Sequence, residues 1–233
     1  MSSDVISPLF FEGAVDLDQN TILRVVMYMV PVILSITVHE YAHAFASYKL
    51  GDDTAALSGR LTLNPIAHID LLGTVIIPII SIVYEVPFFG WAKPVPFNPQ
   101  RFTRALRMKT STLIVALAGP ASNLLFAFLM VIVGRVLFGG QGIDAASGSP
   151  VFTLLNLIMT VNVALAFFNI LPVPPLDGSK ILYGILPDRF FGVIEFLERY
   201  SFVLFIVIIL FGARVVAVPI TIVLALFYAL MGL

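Results

Sequence analysis

The sequence predicts an all-α polytopic membrane protein with about five to six transmembrane helices, on three observations. Its 233 residues are 59% hydrophobic, with a mean hydropathy of +1.02. Only 12% are charged, about half the share of an ordinary soluble domain. Several apolar runs reach the ~20 residues needed to cross a hydrocarbon core of roughly 30 Å. The same composition excludes other classes. Lys and Arg number 13 against 14 Asp and Glu, a net charge of −1, so no basic surplus exists to neutralise a phosphate backbone and nucleic acid is not an expected partner. With no Cys in the chain, disulfides, thiolate metal sites and cysteine nucleophiles are excluded.

The elements follow in order. Residues 1–20 hold Asp4, Glu12, Asp16 and Asp18, and no basic residue precedes Arg24. A secretory signal needs a basic n-region, so this N-terminal segment is expected to lead into a retained first span at 21–47. Further spans are predicted at 71–86, 110–138 and 151–171. The tail 201–233 is interrupted by Arg214 and Pro219 and reads as one tilted span plus a partial second, or as a hairpin. Basic residues in short loops mark the cytoplasmic side. Lys49 and Arg60, then Arg101, Arg104, Arg107 and Lys109, then Lys180, Arg189 and Arg199 all belong there, whereas 139–150 has no basic residue and belongs outside. This ordering requires the chain to return after 71–86. The stretch 87–99 is too rich in Pro and Gly for a regular helix, and irregular backbone at membrane depth must lie against protein or a water-filled cavity. A re-entrant extended segment after the second helix is therefore predicted. Residues 188–200 suggest an interfacial amphipathic helix or a polar connector.

The chemistry is concentrated in TVHEYAHAFA at 37–46. His39 and His43 are four residues apart, so on a helix they share one face, with Glu40 beside them. This is the H-E-x-x-H zinc pattern, in which two imidazoles bind the metal and the carboxylate handles a proton. A pair of hydrogen-bonded core histidines would leave Glu40 unexplained inside an apolar helix, where an ionised group costs at least ~2.5 to 3.5 kcal/mol. A catalytic zinc takes three protein ligands and keeps one position open. His68 is the remaining His, and Asp or Glu could also serve. The best third candidate is Asp177 in NILPVPPLDG at 169–178, because the fourth span runs inward and delivers it to the inner third of the first span, where His39 and His43 lie.

HEYAH at 39–43, NILPVPPLDG at 169–178, GPASN at 119–123 and SGRLTLNPIAHIDLLGT at 58–74 together resemble the site-2 proteases, zinc metalloproteases that cut peptide bonds within the membrane. The resemblance covers most of residues 21–180. It implies one Zn2+ per chain held by His39, His43 and Asp177, Glu40 as catalytic acid/base, and Asn169 as a residue that helps hold the substrate carbonyl. It also implies a multi-pass protein of the cell membrane with transmembrane proteins as substrates in regulated intramembrane proteolysis, while the basic loops put the active site toward the cytoplasmic side. Residues 21–233 then form a single transmembrane metalloprotease domain, with a core at 21–180 and amphipathic and C-terminal helices at 181–233. No PDZ-like insertion interrupts the spans and no CBS-like domain follows, as in a compact member.

Each accessory motif also has a plainer reading. Gly119, Pro120 and Asn123 fit a close helix-packing point better than a catalytic role. Asn169 is equally a structural cap of the broken helix. His68 fits a hydrogen bonder better than a ligand, and Trp91 an interface anchor. The rival class is a polytopic metal or proton transporter using the His/Glu/Asp cluster, but the internal repeat common in transporters is not visible. Segment 87–99 is the candidate to receive an unwound substrate by strand addition.

Overall fold

The computed structural model describes residues 19–84, 90–103 and 105–232, with backbone alone at 19–20, 143–144 and 212–214. The expected N-terminal segment up to residue 18, residues 87–89 of the re-entrant stretch, and Arg104 lie outside the described residues. Ten α-helices follow one another among those described, with no strand.

Helix α1, Gln19–Lys49, is 31 residues, about 46 Å at 1.5 Å per residue. It carries Pro31 within it, where the hydroxyl of Ser35 donates to the Pro31 carbonyl at 2.6 Å. A short α2, Thr54–Leu57, follows. The Asp70 side chain then caps a wide π-helical turn, Leu71–Ile76, by accepting from the Gly73 N–H at 2.8 Å, and the turn runs into α3, Ile77–Val83. These 13 residues span only about 20 Å.

After the undescribed 85–89, the chain comes back without helix. The Trp91 N–H donates to the Gly73 carbonyl at 3.1 Å and the Lys93 N–H to the His68 carbonyl at 3.0 Å. Further along, the Val95 N–H donates to Glu40 Oε2 at 2.9 Å and the Asn98 N–H to Asp52 Oδ2 at 2.6 Å. Pro94 and Pro96 alternate with these donors. The Trp91 ring lies where a side chain on Gly73 would stand, 2.4 Å from the position of a Cβ, so Trp91 is a packing partner of the outgoing chain as well as an exposed aromatic. By residue 103 the excursion has closed: the Thr103 N–H donates to the Leu50 carbonyl at 2.7 Å, and Arg101 pairs with Asp53.

Helix α4, Met108–Phe138, and the short α5, Ile143–Ser147, lead to α6, Pro150–Ile170. After the Pro-rich break come α7, Asp177–Ile185, and α8, Phe191–Arg199. Helix α8 buries Ile194 while Phe191, Val193 and Phe196 stay exposed. Helices α9, Ser201–Val207, and α10, Ala213–Met231, close the chain, bent by 53° between them.

Helices α1, α4 and α6 pack together, with α7 against α4 and α10 across α4 and α6. The apolar core runs through Ala127 and Val131 of α4, Phe152, Met159 and Val163 of α6, and Phe227 and Met231 of α10. Among the described residues three helices are long and apolar enough to cross a bilayer (Thr21–Lys49, Met108–Phe138 and Pro150–Ile170), or four if the bent pair makes one span. The predicted five to six crossings would count Leu71–Val83 and each arm of the bent pair separately. The all-α, multi-pass architecture is thus present.

Candidate metal centre

The two histidines of α1 face inward and meet Asp177. His39 and His43 Nε2 are 3.0 Å apart, and they lie 3.1 Å and 3.0 Å from Asp177 Oδ2. All three residues are buried. Asp177 is the first residue of α7, and Gly178 after it is forced: a Cβ there would stand 2.1 Å from the Ile170 carbonyl oxygen. The broken chain between α6 and α7 can fold back this tightly only with glycine at that place.

Both imidazoles are oriented from behind by α4. His43 Nδ1 lies 2.7 Å from the Val115 carbonyl oxygen, which can only accept, so Nδ1 carries the proton. His39 Nδ1 lies 2.6 Å from Asn123 Oδ1. Asn123 Nδ2 donates to the Ser35 carbonyl and to Asn162 Oδ1, which fixes its oxygen toward His39 as an acceptor. Both Nε2 lone pairs therefore point at Asp177. Gly119 makes room for the rings: a Cβ there would stand 2.3 Å from His43 Nε2 and 2.6 Å from His39 Cε1. Glu40 is half-buried on the same helix, outside the three-residue group, and accepts from Val95.

The remaining expected residues fall elsewhere. Asn169 is half-buried in the last turn of α6 and donates to the Leu165 carbonyl at 3.0 Å. This bond lies within its own helix, and no described contact joins it to the histidines. His68 is buried outside the metal group, with Nε2 donating to the Thr62 carbonyl at 2.9 Å. Asn123 is more than the packing residue that GPASN suggested, because it is a direct hydrogen-bond partner of His39. Asn162 and Ser35 join the site without a sequence motif to mark them; Asn162 is one of three amides in α6, and polar residues in an apolar span are themselves a signal.

The family model for peptidase family M50 matches residues 136–212, the stretch with Asn162 and Asp177. "Putative zinc metalloprotease YwhC" of Bacillus subtilis is 38% identical over 182 residues, covering 77% of this chain and 78% of that protein. The chain belongs to peptidase family M50, the site-2 proteases. A further relative of this M50 chain, "Putative zinc metalloprotease Rip2" of Mycolicibacterium smegmatis, is 26% identical over 211 residues, covering 90% of this chain and 73% of its own length. No solved structure matches.

As an M50 member the chain is a membrane zinc metalloprotease, and its donor set fits that ion. Two neutral imidazole nitrogens and a carboxylate oxygen are ordinary zinc ligands, and tetrahedral arms of ~2.0 to 2.1 Å put neighbouring ligand atoms about 3.3 Å apart, close to the separations seen. The glycine at 119 leaves the cradle open, and the backing acceptors supply the ligand orientation that zinc sites use.

Proposed function

We propose that this M50 protease hydrolyses peptide bonds within transmembrane segments of membrane-protein substrates, in regulated intramembrane proteolysis, with His39, His43 and Asp177 as its zinc ligands and Glu40 as its acid/base. The observation that carries this reading is the convergence of His39 Nε2, His43 Nε2 and Asp177 Oδ2, with Glu40 one residue from the first of them, on a helix apolar enough to span a bilayer. When bound, zinc supplies Lewis-acid activation of a water and of the scissile carbonyl. The protein does the rest. Glu40 takes the proton of the attacking water and delivers it to the leaving amine nitrogen. Asn123 and the Val115 carbonyl hold the two imidazoles in register. Asn169 offers an amide that could leave its Leu165 bond for the substrate carbonyl. A helical substrate hides its peptide bonds, so it must unwind, and segment 90–98, already extended and anchored beside Glu40, is placed to pair with it.

Residues 21–233 act as one transmembrane metalloprotease domain in this reading. The enzyme sits in the cell membrane with its site toward the cytoplasm in this reading, supported by the basic residues of the loops, among them Arg101, which pairs with Asp53 just past α1, and Lys109, which pairs with Asp188 just past α7. The test is metal analysis of the purified protein combined with cleavage of a model transmembrane peptide, wild type against Glu40→Gln. One zinc in both proteins, with cleavage in the wild type alone, is expected. Metal flux into vesicles without peptide cleavage would instead mark a transporter.

A further inference from the structure

We propose that Asn162 and Ser35 are positioning residues that set the tautomer of His39 from a distance, through a one-way hydrogen-bond chain across three helices. The proposal rests on the reading of His39 as a zinc ligand. The chain starts at His39 Nδ1, which donates to Asn123 Oδ1 at 2.6 Å. Asn123 Nδ2 donates to Asn162 Oδ1 at 2.7 Å, Asn162 Nδ2 to Ser35 Oγ at 2.7 Å, and Ser35 Oγ to the Pro31 carbonyl at 2.6 Å. Every proton points away from the metal group. Ser35, Asn123 and Asn162 are all 0% exposed, so no solvent can replace a misdirected partner.

The direction is locked by backbone carbonyls, which cannot reverse. Asn123 Nδ2 also donates to the Ser35 carbonyl at 3.1 Å, and Asn162 Nδ2 to the Ile158 carbonyl at 2.8 Å. Moving the His39 proton to Nε2 would turn a bare Nδ1 toward Asn123 Oδ1. Flipping Asn123 to repair that contact would set oxygen against the Ser35 carbonyl and against Asn162 Oδ1. Flipping Asn162 in turn would set oxygen against the Ile158 carbonyl. The reversed chain leaves buried acceptors facing acceptors, an arrangement that burial penalises. Asn162 and Ser35 therefore hold His39 with its Nε2 lone pair free for metal, although neither reaches the metal group. His43 is held separately by Val115, so the two ligands should respond differently.

The test uses the full chain, whose three His residues give a simple nitrogen spectrum when labelled with 15N-histidine. In the zinc-loaded wild type, His39 and His43 should both carry the proton on Nδ1. Asn162→Leu removes one of the two acceptors of Asn123 Nδ2 and should shift the His39 Nδ1 resonance while that of His43 is unchanged; Ser35→Ala leaves Asn162 its Ile158 carbonyl bond and should shift it less, and Ser35→Thr, which keeps the hydroxyl, should leave it in place. Zinc competition against a chelator should show affinity about tenfold weaker in Asn162→Leu, the range found for outer-shell partners. An unmoved His39 resonance in Asn162→Leu overturns the proposal, as does equal disturbance of His43. If Asn162→Leu fails to fold, an unmoved His39 resonance in Ser35→Ala overturns it instead. A wild type that binds no zinc would sink the metal reading, whereas a zinc-binding wild type whose His39 resonance ignores these variants would sink the chain alone.

Discussion

At Gly119 the helix gives up backbone stability for space. Replacing a helical glycine by alanine ordinarily stabilises a helix by about 0.5 to 1 kcal/mol, yet a Cβ here would meet both zinc-facing rings. Gly119→Ala is thus expected to lower both the melting temperature and the zinc content, because overpacking two rings pinned from behind costs about 1 to 3 kcal/mol and outweighs the helix gain, as measured by metal analysis beside a thermal melt. Glu40→Gln should behave in the opposite sense: the amide oxygen can still accept from Val95, zinc stays, and turnover drops by the 10² to 10⁴-fold that acid/base catalysis supplies. Turnover within about tenfold of wild type would contradict the role. The readable part of this site was the part set by helix geometry, since four-residue spacing alone brings His39 and His43 to one face. Asn123 was not readable in the same way. Which neighbour a buried amide meets depends on how two helices are rotated against each other, and that is fixed by packing partners such as Gly119 rather than by local pattern.

The element that departs most from its sequence expectation is the second one. A helix over 71–86 was predicted. The described chain instead makes a π-helical turn capped by Asp70 before α3, Ile77–Val83, because the Asp70 side chain holds Gly73 and the Thr74 hydroxyl donates to the Trp91 carbonyl at 2.8 Å. The first is a local cap and the second comes from the returning segment, and neither leaves a trace in hydrophobic periodicity. The same segment is anchored at its far end by Asp52. Burial pushes that carboxyl upward, but bonds from the Thr54 hydroxyl, the Asn98 and Thr54 N–H groups and the Ser47 hydroxyl outweigh it and hold Asp52 below the usual carboxylate range. A carboxyl depressed in the folded state contributes stability above its unfolded pKa and loses it as pH falls through the folded value. Thermal stability should therefore stay level from pH 7 down to the carboxylate range and decline beneath it, and Asp52→Asn should flatten the acid limb. In the substrate-bound state, Val95→Cys in this Cys-free chain should crosslink to a cysteine near the cut in a model transmembrane peptide. Failure to crosslink while cleavage proceeds would place the substrate elsewhere.

For the molecule as a whole, the proposed topology rests on where the basic residues lie. The Thr103 N–H bonds the Leu50 carbonyl and Arg101 pairs with Asp53, and Lys109 reaches Asp188 and the Leu186 carbonyl across α4 and α7; whether the chain between re-enters the membrane is decided by labelling. Lys109→Cys should react only with reagents that enter the cytoplasm, and Gln141→Cys, exposed beyond α4, only from outside. Reversed labelling of the pair would invert the proposed topology. The number of crossings was the least readable property, because Leu71–Val83 is apolar but short and the tail bends by 53°; hydropathy records composition along the chain and not its direction.

The prolines of the returning segment also bear on how such a protein avoids itself. Trp91, Lys93 and Val95 spend their N–H groups on the enzyme, and Pro94 and Pro96 have none to offer on the other side. Successive backbone groups of an extended chain alternate in direction, so the outer edge is rich in acceptors and poor in donors. Two copies laid edge to edge would oppose carbonyl to carbonyl. A crowded bilayer full of identical molecules thus finds no template here for sheet-like aggregation, whereas a foreign strand with its own N–H groups does find partners.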